Sequence, residues 1–367
     1  MNSTRKRVAL YLPLGKRRVR WNGLGGAEKR LSYLISHINS EQFETFVVLR
    51  IYEGESQARE MLSDYIGVDC TIRTVNNDKE AFRHFRKEKY DYVFYDDSMV
   101  LAIPGIIGAC LGRSCRILIF VTENYARWSF KKRWHSLIMS FNVFMAMKID
   151  CLYPSSVEIL EHKFPTKPVT ATPCSLPLLE NYIRKSESVS KENTIVFIAR
   201  MIPEKNPIML LDAAKMVAET LRQKNYKVLI YGDGPLSGEI ISYIRENGLS
   251  DIVFFNGVKS AFEVLPMARI FCSLQEFENY PSQSLLEAIA SGCYCIATDV
   301  GNTGKLVRPA FGVLIQKTPQ ALAQALQNAI TMDDIEINSS ALSSREFAIQ
   351  RFDPRKAILH YENLCKE

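Results

Sequence analysis

Short, uniformly apolar segments alternate with helical segments along almost the whole chain. Segments that are apolar along their full length are typical of strands in parallel sheets that helices cover on both faces. The pattern therefore predicts an α/β protein, with helices such as Ala27–Ile38 and Lys79–Lys89 between the strands. The predicted strands read RVALYLP, FETFVVLR, YDYVFYD and CRILIFV in the first half, and NTIVFIAR, YKVLIYG, DIVFFNG, ARIFCSL and CYCIATD in the second.

The chain has 367 residues, which is too long for one domain of ordinary size, so we expect two. The segment Pro165–Thr194 is rich in Pro, Ser and Thr and is predicted to be the linker between two such sheets. A first Rossmann-like domain would then cover residues 1–170 and a second residues 171–350. Residues 351–367 are predicted to be helical, with a break at Pro354, and to pack back on the first domain. Two such domains facing a cleft would bind a ligand where their strands end.

Charge is distributed unevenly over the two halves. Residues 1–170 carry a net charge of +8 and the remainder −2, with basic clusters at Lys16–Arg20, Arg83–Lys89 and Lys131–Trp134. A basic first half favours an anionic surface or acceptor. Nucleic acid is not expected as a partner, because no helix-turn-helix, zinc-finger or RNA-binding signature is present. The nine irregularly spaced cysteines and the lack of a long apolar run predict a cytoplasmic protein with reduced thiols.

Several strands of the second half end in residues that suit a ligand. Arg200 and Lys205 follow one strand and precede a helix predicted to start near Pro207. Two cations and a helix N-terminus can bind phosphate, although an ordinary loop with surface cations is an alternative. Gly232 begins a G-x-G-x-x-x-G pattern that matches a dinucleotide fingerprint poorly. Gly257 follows the next strand, where the backbone could approach a flat ligand such as a base.

The segment ENYPSQSLLEAIASG follows the next predicted strand. Pro281 suits the first turn of a helix and Gly292 its end. Glu287 would then lie in mid-helix among apolar residues, where a buried carboxylate needs a partner such as a pair of ligand hydroxyls. The alternative is a solvated carboxylate on the exposed face of the helix.

These motifs, in this order, resemble the donor-binding domain of GT-B glycosyltransferases, and specifically the retaining group called family 4 (glycosyl transferases group 1). The run ARMIPEKNP, YGDGPLSGE, VFFNGV and ENYPSQSLLEAIASGCYCIATDVGNT carries the resemblance in the second half. In the first half, NGLGGAEKR (Asn22–Arg30) is similar to the Gly-Gly-Ala-Glu loop of that family. The resemblance spans nearly the whole chain, but between Ile51 and Leu178 it rests on the strand–helix alternation alone. It implies the GT-B fold.

The resemblance also implies roles for individual residues. Arg200 and Lys205 would bind the diphosphate of a nucleotide-sugar and stabilise it as it leaves. Glu278 would bind hydroxyls of the donor sugar, and Glu287 those of the ribose. The full set implied for donor binding is Gly25, Gly26, Gly232, Gly257, Asn279, Tyr280, Pro281, Ser282 and Glu287.

The sequence departs from the family pattern at two places. The family usually has seven residues between its two glutamates, and counting back from Glu287 at that spacing reaches Asn279, whereas Glu278 leaves eight. We favour Glu278 with a loop one residue longer, and Asn279 as a neutral hydroxyl binder is the alternative. After the strand RILIFV, where many relatives have histidine or aspartate, the chain has Glu123 and Asn124. These could contact the sugar or the acceptor, or Glu123 could be a capping or surface residue.

The implied reaction moves a hexose from a nucleotide-diphosphate sugar to a hydroxyl of a glycan or lipid-linked acceptor with retention of configuration. Such stand-alone members often act in surface polysaccharide assembly, including that of lipopolysaccharide. No cofactor or metal is expected, because no Asp-x-Asp pair ends a strand and the adjacent Asp96 and Asp97 chelate poorly. A sugar-nucleotide epimerase or hydrolase of the same fold, or a non-catalytic partner subunit, is the alternative. Lys16–Arg20 or Lys131–Trp134 would attach the protein peripherally to an anionic membrane.

Overall fold

The structure is a computed structural model that describes residues 5–13, 25–51, 60, 62–97, 101–121 and 133–366. The chain forms two compact units. The first contains Met1–Pro177 and Pro354–Glu367, and the second contains Leu178–Asp353. Among the described helices, none has the combination of length and hydropathy that a bilayer-crossing segment requires.

Each unit is built on a parallel sheet. In the described part of the first unit the sheet has seven strands in the order β3-β2-β1-β4-β5-β6-β7, and in the second unit six in the order β10-β9-β8-β11-β12-β13. The strands of the first sheet are β1 (Lys6–Pro13), β2 (Phe43–Arg50), β3 (Thr71–Val75), β4 (Tyr92–Asp96), β5 (Cys115–Phe120), β6 (Lys148–Cys151) and β7 (Val169–Ala171). Those of the second are β8 (Glu192–Ile198), β9 (Lys227–Tyr231), β10 (Val253–Phe255), β11 (Ala268–Ser273), β12 (Tyr294–Thr298) and β13 (Gly312–Ile315).

Helices connect the strands and cover the sheets. In chain order the α-helices are α1 (Gly26–Ser36), α2 (Asp78–Glu88), α3 (Ile103–Leu111), α4 (Arg133–Met145), α5 (Ser155–Lys163), α6 (Leu179–Glu187), α7 (Pro207–Met216), α8 (Ala218–Gln223), α9 (Ser237–Glu246), α10 (Ala261–Val264), α11 (Gln283–Ala290), α12 (Pro319–Thr331), α13 (Asp334–Arg351) and α14 (Pro354–Leu364). In the first unit, side chains of α1 and α14 pack on one face of the sheet and those of α2 to α5 on the other. Both faces are therefore buried, which explains why the strands are apolar throughout.

The chain order reverses at one point in each sheet. In the first sheet this switch point lies between β1 and β4, and in the second between β8 and β11. Neighbouring strands pair in parallel throughout both sheets. The prediction of two Rossmann-like doubly wound units is thereby confirmed.

The boundary between the two units, Pro177/Leu178, lies within the segment Pro165–Thr194 that was predicted to link them, and this segment also contains regular elements. Within Pro165–Thr194, β7 adds a strand to the first sheet, α6 is a helix of the second unit and β8 begins at Glu192. The Pro- and Ser-rich composition conceals these elements because β7 has only three residues and α6 only nine.

The C-terminal helix α14 belongs to the core of the first unit. The ring of Tyr361 is fully buried, and its hydroxyl lies 2.9 Å from Oγ1 of Thr172. The adjacent His360 contributes a 2.8 Å contact between its Nε2 and Oδ1 of the buried Asp150 on β6. The last helix thus supplies both apolar and polar contacts to the first sheet.

Candidate functional site

The switch point of the second sheet is bridged by a charged hydrogen bond. Lys205 Nζ donates to Oε1 of Gln275 at 2.6 Å. Lys205 ends a short 3-10 helix, Pro203–Lys205, in the loop after β8, and Gln275 lies two residues after β11. In doubly wound sheets this position, at the carboxyl ends of the strands on either side of the switch point, is where ligands bind.

Burial and a second cation perturb Lys205. Partial desolvation, followed by repulsion from the Arg200 guanidinium, lowers the pKa of Lys205 to about 8, while Glu204 partly opposes the shift. Arg200 itself is exposed near the start of the same loop, two residues after β8. An anion bound beside the two side chains would relieve their repulsion and stabilise the charged form of the lysine. The pair is therefore suited to a phosphate group.

The two loops are held in place by a network at the strand ends. The Glu276 amide donates to the Glu204 carbonyl at 2.9 Å, and Lys317, just beyond β13, forms a 2.8 Å ion pair with Glu276. This ion pair lowers the pKa of Glu276. At the end of β12, Oγ1 of Thr298 accepts from the Gln275 amide at 2.9 Å and donates to its carbonyl at 2.8 Å. The backbone of Gln275 is thus held through both its amide and its carbonyl group.

Gly232 allows the loop after β9 to pack against the loop that carries Arg200. Its φ is +132°, and a Cβ atom there would lie 1.8 Å from the carbonyl oxygen of Ala199. Its amide donates to the Gly257 carbonyl at 2.7 Å, and the Met201 amide donates to the Asp233 carbonyl at 2.9 Å. The glycine therefore has a packing role in the described structure, and its predicted contact with a donor stays a prediction. Gly257 has φ +64° and open space at its Cβ position.

Helix α11 carries the buried carboxylate predicted from the sequence. Glu287 is only 8% exposed, so the alternative of a solvated side chain is wrong, and Nε2 of Gln283 donates to its Oε1 at 3.2 Å. The predicted start of this helix is wrong by two residues. Ser282 is extended, with ψ +115°, and occupies the N-cap, so Pro281 precedes the helix instead of forming its first turn. Gly292, with φ +69°, follows the C-cap residue.

Glu278 is fixed by the turn that follows β12. Its Oε1 accepts from the backbone amide of Asn302 at 3.0 Å and from the side-chain amide of the same residue. A Cβ atom at Gly301 would lie 2.5 Å from the Glu278 side chain, so a side chain at this turn would displace the glutamate. Asn279 is half-buried and Tyr280 is buried. The choice between Glu278 and Asn279 stays a prediction.

The remaining predicted residues lie elsewhere. Gly25 is the N-cap of α1 and Gly26 its first residue, both in the first unit. A Cβ atom at Gly25 would lie 2.4 Å from Oε2 of the buried Glu28. Glu123 and Asn124 lie outside the described residues.

Three polar residues that organise the site were not predicted from the sequence. Gln275 accepts from Lys205, Asn302 donates to Glu278, and Thr298 accepts from the backbone amide of Gln275. Their only signal is a position at or just after the end of a strand of the second sheet. Throughout the described ranges, no group of three or more His, Cys, Asp or Glu side chains could hold a metal ion.

Known proteins are similar to the second unit in sequence and to the whole chain in fold. Residues 180–341 match the family model described as Glycosyl transferases group 1. Over 98% of this chain and 99% of the other, the structure resembles Anabaena HepE, solved in complex with UDP and glucose, with a TM-score of 0.76 at 15% sequence identity. The chain therefore has the GT-B fold, and its second unit is similar in sequence to glycosyl transferases group 1.

Two curated relatives are similar to parts of this GT-B chain. An Escherichia coli protein named UDP-Gal:alpha-D-GlcNAc-diphosphoundecaprenol alpha-1,3-galactosyltransferase is 25% identical over 254 residues, which cover 64% of this chain and 65% of the relative. A Campylobacter jejuni alpha-1,4-N-acetyl-D-galactosaminyltransferase, whose name gives a PP-undecaprenol-linked glycan as its acceptor, is 25% identical over 167 residues, or 45% of this chain and 46% of the relative. The matched part thus spans about half to two thirds of these relatives.

The packing role of Gly232 can be tested against a second glycine of the same segment. We expect Gly232→Ala to lower the free energy of unfolding by about 2–4 kcal/mol, because the new Cβ atom meets the Ala199 carbonyl and the backbone φ is unfavourable. Gly238, in α9, has nothing within 4 Å of its Cβ position. Gly238→Ala should therefore be neutral or stabilise by up to about 1 kcal/mol. Urea unfolding of both variants measures the difference, and equal stabilities would contradict the packing role.

Proposed function

We propose that this protein is a retaining hexosyltransferase that moves a sugar from a nucleotide-diphosphate sugar to a hydroxyl of a lipid-linked glycan during polysaccharide assembly. The observation that carries the proposal is the pair of Arg200 and Lys205 at the switch point, with a lysine pKa of about 8 that an anion would raise. The two curated relatives, whose names give diphosphoundecaprenol-linked substrates, support the acceptor class.

The proposed mechanism relies on charge stabilisation and positioning. Arg200 and Lys205 bind the diphosphate and stabilise the negative charge that develops as the bond to the sugar breaks. Glu287 accepts hydrogen bonds from the ribose hydroxyls, while Glu278 holds the sugar through its hydroxyls. The acceptor hydroxyl attacks from the same face as the departing phosphate, which takes its proton, so no side-chain base is needed.

A variant of Lys205 tests this function. Lys205→Ala should lower turnover by roughly 100-fold or more and weaken the binding of the matching nucleotide diphosphate, because a desolvated cation opposite the leaving group is lost. Lys215, exposed on α7 in the same unit, supplies the control, and Lys215→Ala should behave as wild type. Calorimetry with UDP, GDP and ADP, followed by mass spectrometry of sugar transfer to a lipid-linked acceptor, gives both readouts. Near-normal turnover by Lys205→Ala would contradict the assignment, and release of free or epimerised sugar without transfer would favour an epimerase or hydrolase.

The lowered pKa of Lys205 also predicts a pH dependence of binding. Because a bound diphosphate raises the pKa, each binding event takes up a proton at pH values between about 8 and the pKa of the complex. Affinity should therefore be constant well below pH 8 and fall by about tenfold for each further pH unit once the free lysine is deprotonated. Lys205→Arg stays protonated over this range, so its affinity should lack the fall. Calorimetry in buffers of different ionisation enthalpy measures the proton uptake, and its absence at pH 9 in the wild type would contradict the prediction.

We further propose that α4 forms a membrane-facing surface. Its exposed Leu137 and Phe144, with the half-buried Phe141 between them, lie along one stripe. Lys167 Nζ donates to the Phe144 carbonyl at 3.1 Å and Arg116 Nε to the Met145 carbonyl at 2.7 Å, so two cations lie at the C-terminal end of the stripe. Apolar side chains bordered by cations fit an anionic bilayer. Of the two basic clusters proposed for attachment, Lys16–Arg20 lies outside the described residues, and so do the first two residues of Lys131–Trp134.

Vesicle binding tests this surface. The double variant Leu137→Ser, Phe144→Ser should reduce co-sedimentation with phosphatidylglycerol-containing vesicles by about tenfold or more, because two apolar anchors are lost. Val68 is fully exposed in the same unit, and Val68→Ser should leave the bound fraction unchanged. Equal binding by the double variant and the wild type would contradict this part of the proposal.

A further inference from the structure

Lys205 has an uncharged hydrogen-bond partner, although several carboxylates lie in the same loops. Glu204 precedes it in sequence, and Glu276 and Glu278 follow its partner Gln275. A carboxylate forms a stronger bond with a lysine than an amide oxygen does. The acceptor at 2.6 Å from Nζ is nevertheless Oε1 of Gln275. Across the described residues Lys205 forms no ion pair, so no carboxylate neutralises it at contact distance.

The nearby carboxylates have other surroundings. Oε1 of Glu276 pairs with Lys317 at 2.8 Å, and its Oε2 accepts from the side-chain amide of Asn206 at 3.3 Å. Glu278 is bonded to the turn after β12, and Glu204 is exposed to solvent. These acidic groups therefore leave the ammonium group of the lysine accessible to an anion from outside.

Gln275 is itself held firmly. It is only 7% exposed, and its backbone amide and carbonyl are both bonded to Oγ1 of the fully buried Thr298, at 2.9 and 2.8 Å. The amide oxygen is thus presented to Lys205 from a fixed position. A lysine ammonium has three N–H groups and Gln275 accepts one, so the other two can donate to a ligand.

We propose that Gln275 is a positioning residue that holds Lys205 for an anionic ligand without neutralising it. An amide oxygen accepts a hydrogen bond but carries no net charge, so it orients the ammonium group and leaves its charge to attract a phosphate. A carboxylate in the same place would form an ion pair with the lysine and compete with the phosphate. The inference rests on the proposed function, in which Lys205 binds the diphosphate of the donor.

Two substitutions of Gln275 should move the pKa of Lys205 in opposite directions. In the wild type, desolvation and repulsion from Arg200 lower this pKa to about 8, and Glu204 partly opposes them. Gln275→Glu adds a carboxylate beside the ammonium group, which should move the titration midpoint upward by about one pH unit or more. Gln275→Met removes an acceptor that favours the charged form, which should move the midpoint downward by about half a pH unit. Competitive acetylation with acetic anhydride at a series of pH values, read by peptide mass spectrometry, measures the midpoint in the free protein.

Both variants should also bind the nucleotide diphosphate more weakly. At pH 7, Gln275→Glu should lower the affinity at least about tenfold because its carboxylate competes with the phosphate, and the fall in affinity at alkaline pH should begin at a higher pH. Gln275→Met should lower the affinity about 3–10-fold, and it should add nothing in the Lys205→Ala background, because it acts through the lysine. Calorimetry with UDP, GDP and ADP measures these affinities. Gln324 is exposed on α12 of the same unit, so Gln324→Glu, which adds the same charge, should bind as the wild type does.

The two measurements separate this inference from the proposed function. Acetylation needs no ligand, so it decides the role of Gln275 even if the wild type binds no nucleotide, a result that would defeat the proposed function alone. Gln275→Glu keeps the size of the side chain, and its midpoint decides the question if Gln275→Met does not fold. An unchanged midpoint in a Gln275→Glu variant that urea unfolding shows to be destabilised would mean a merely structural glutamine. That result, or undiminished nucleotide affinity of Gln275→Glu, would overturn the inference.

Discussion

In both sheets neighbouring strands run parallel, so the carboxyl end of every strand lies at the same edge as its neighbours'. In the second unit this arrangement brings together side chains that are far apart in sequence. Lys205 and Gln275 are 70 residues apart, and Glu278 and Asn302 are 24 apart, yet each pair is joined by a hydrogen bond. Several loops pack closely together at this edge, so there is no room for a side chain at Gly232.

In the free protein, burial and like-charge repulsion destabilise the charged groups of the site. Lys205 is partly desolvated and lies beside a second cation, so its charged form is destabilised. Glu287 is buried in α11, where the residues next to it in sequence are apolar. Groups placed in this way favour ligands that combine negative charge with hydroxyls over neutral molecules, because only the former compensate the lost hydration. The supporting bonds from Gln275 and Asn302 reduce the reorganisation that binding would require.

Much of the fold follows from local sequence, because all nine strands predicted from apolar runs are present. The strands β3, β6, β7 and β13 were beyond the same reasoning, since they have only three to five residues and some, such as TIRTV, contain polar positions. At the site, Lys205 and Glu287 could be predicted because a charged residue next to or within an apolar run is conspicuous. Gln275 and Asn302 carry no such mark, and their roles depend on long-range contacts that only the folded chain shows.

The second unit is an insertion in the first, since residues 178–353 lie between the two segments that build the first unit. During translation the first unit must therefore wait for Ala357 and Tyr361, which fill its core, until the whole second unit has been made. At about 5–20 residues per second, the roughly 180 intervening residues take about 10–35 s to synthesise. Throughout that time the nascent chain exposes the apolar face of its first sheet that α14 later covers, while the contiguous second unit is free to fold as it emerges. Nascent-chain chaperones would therefore be expected to bind the N-terminal half of this polypeptide.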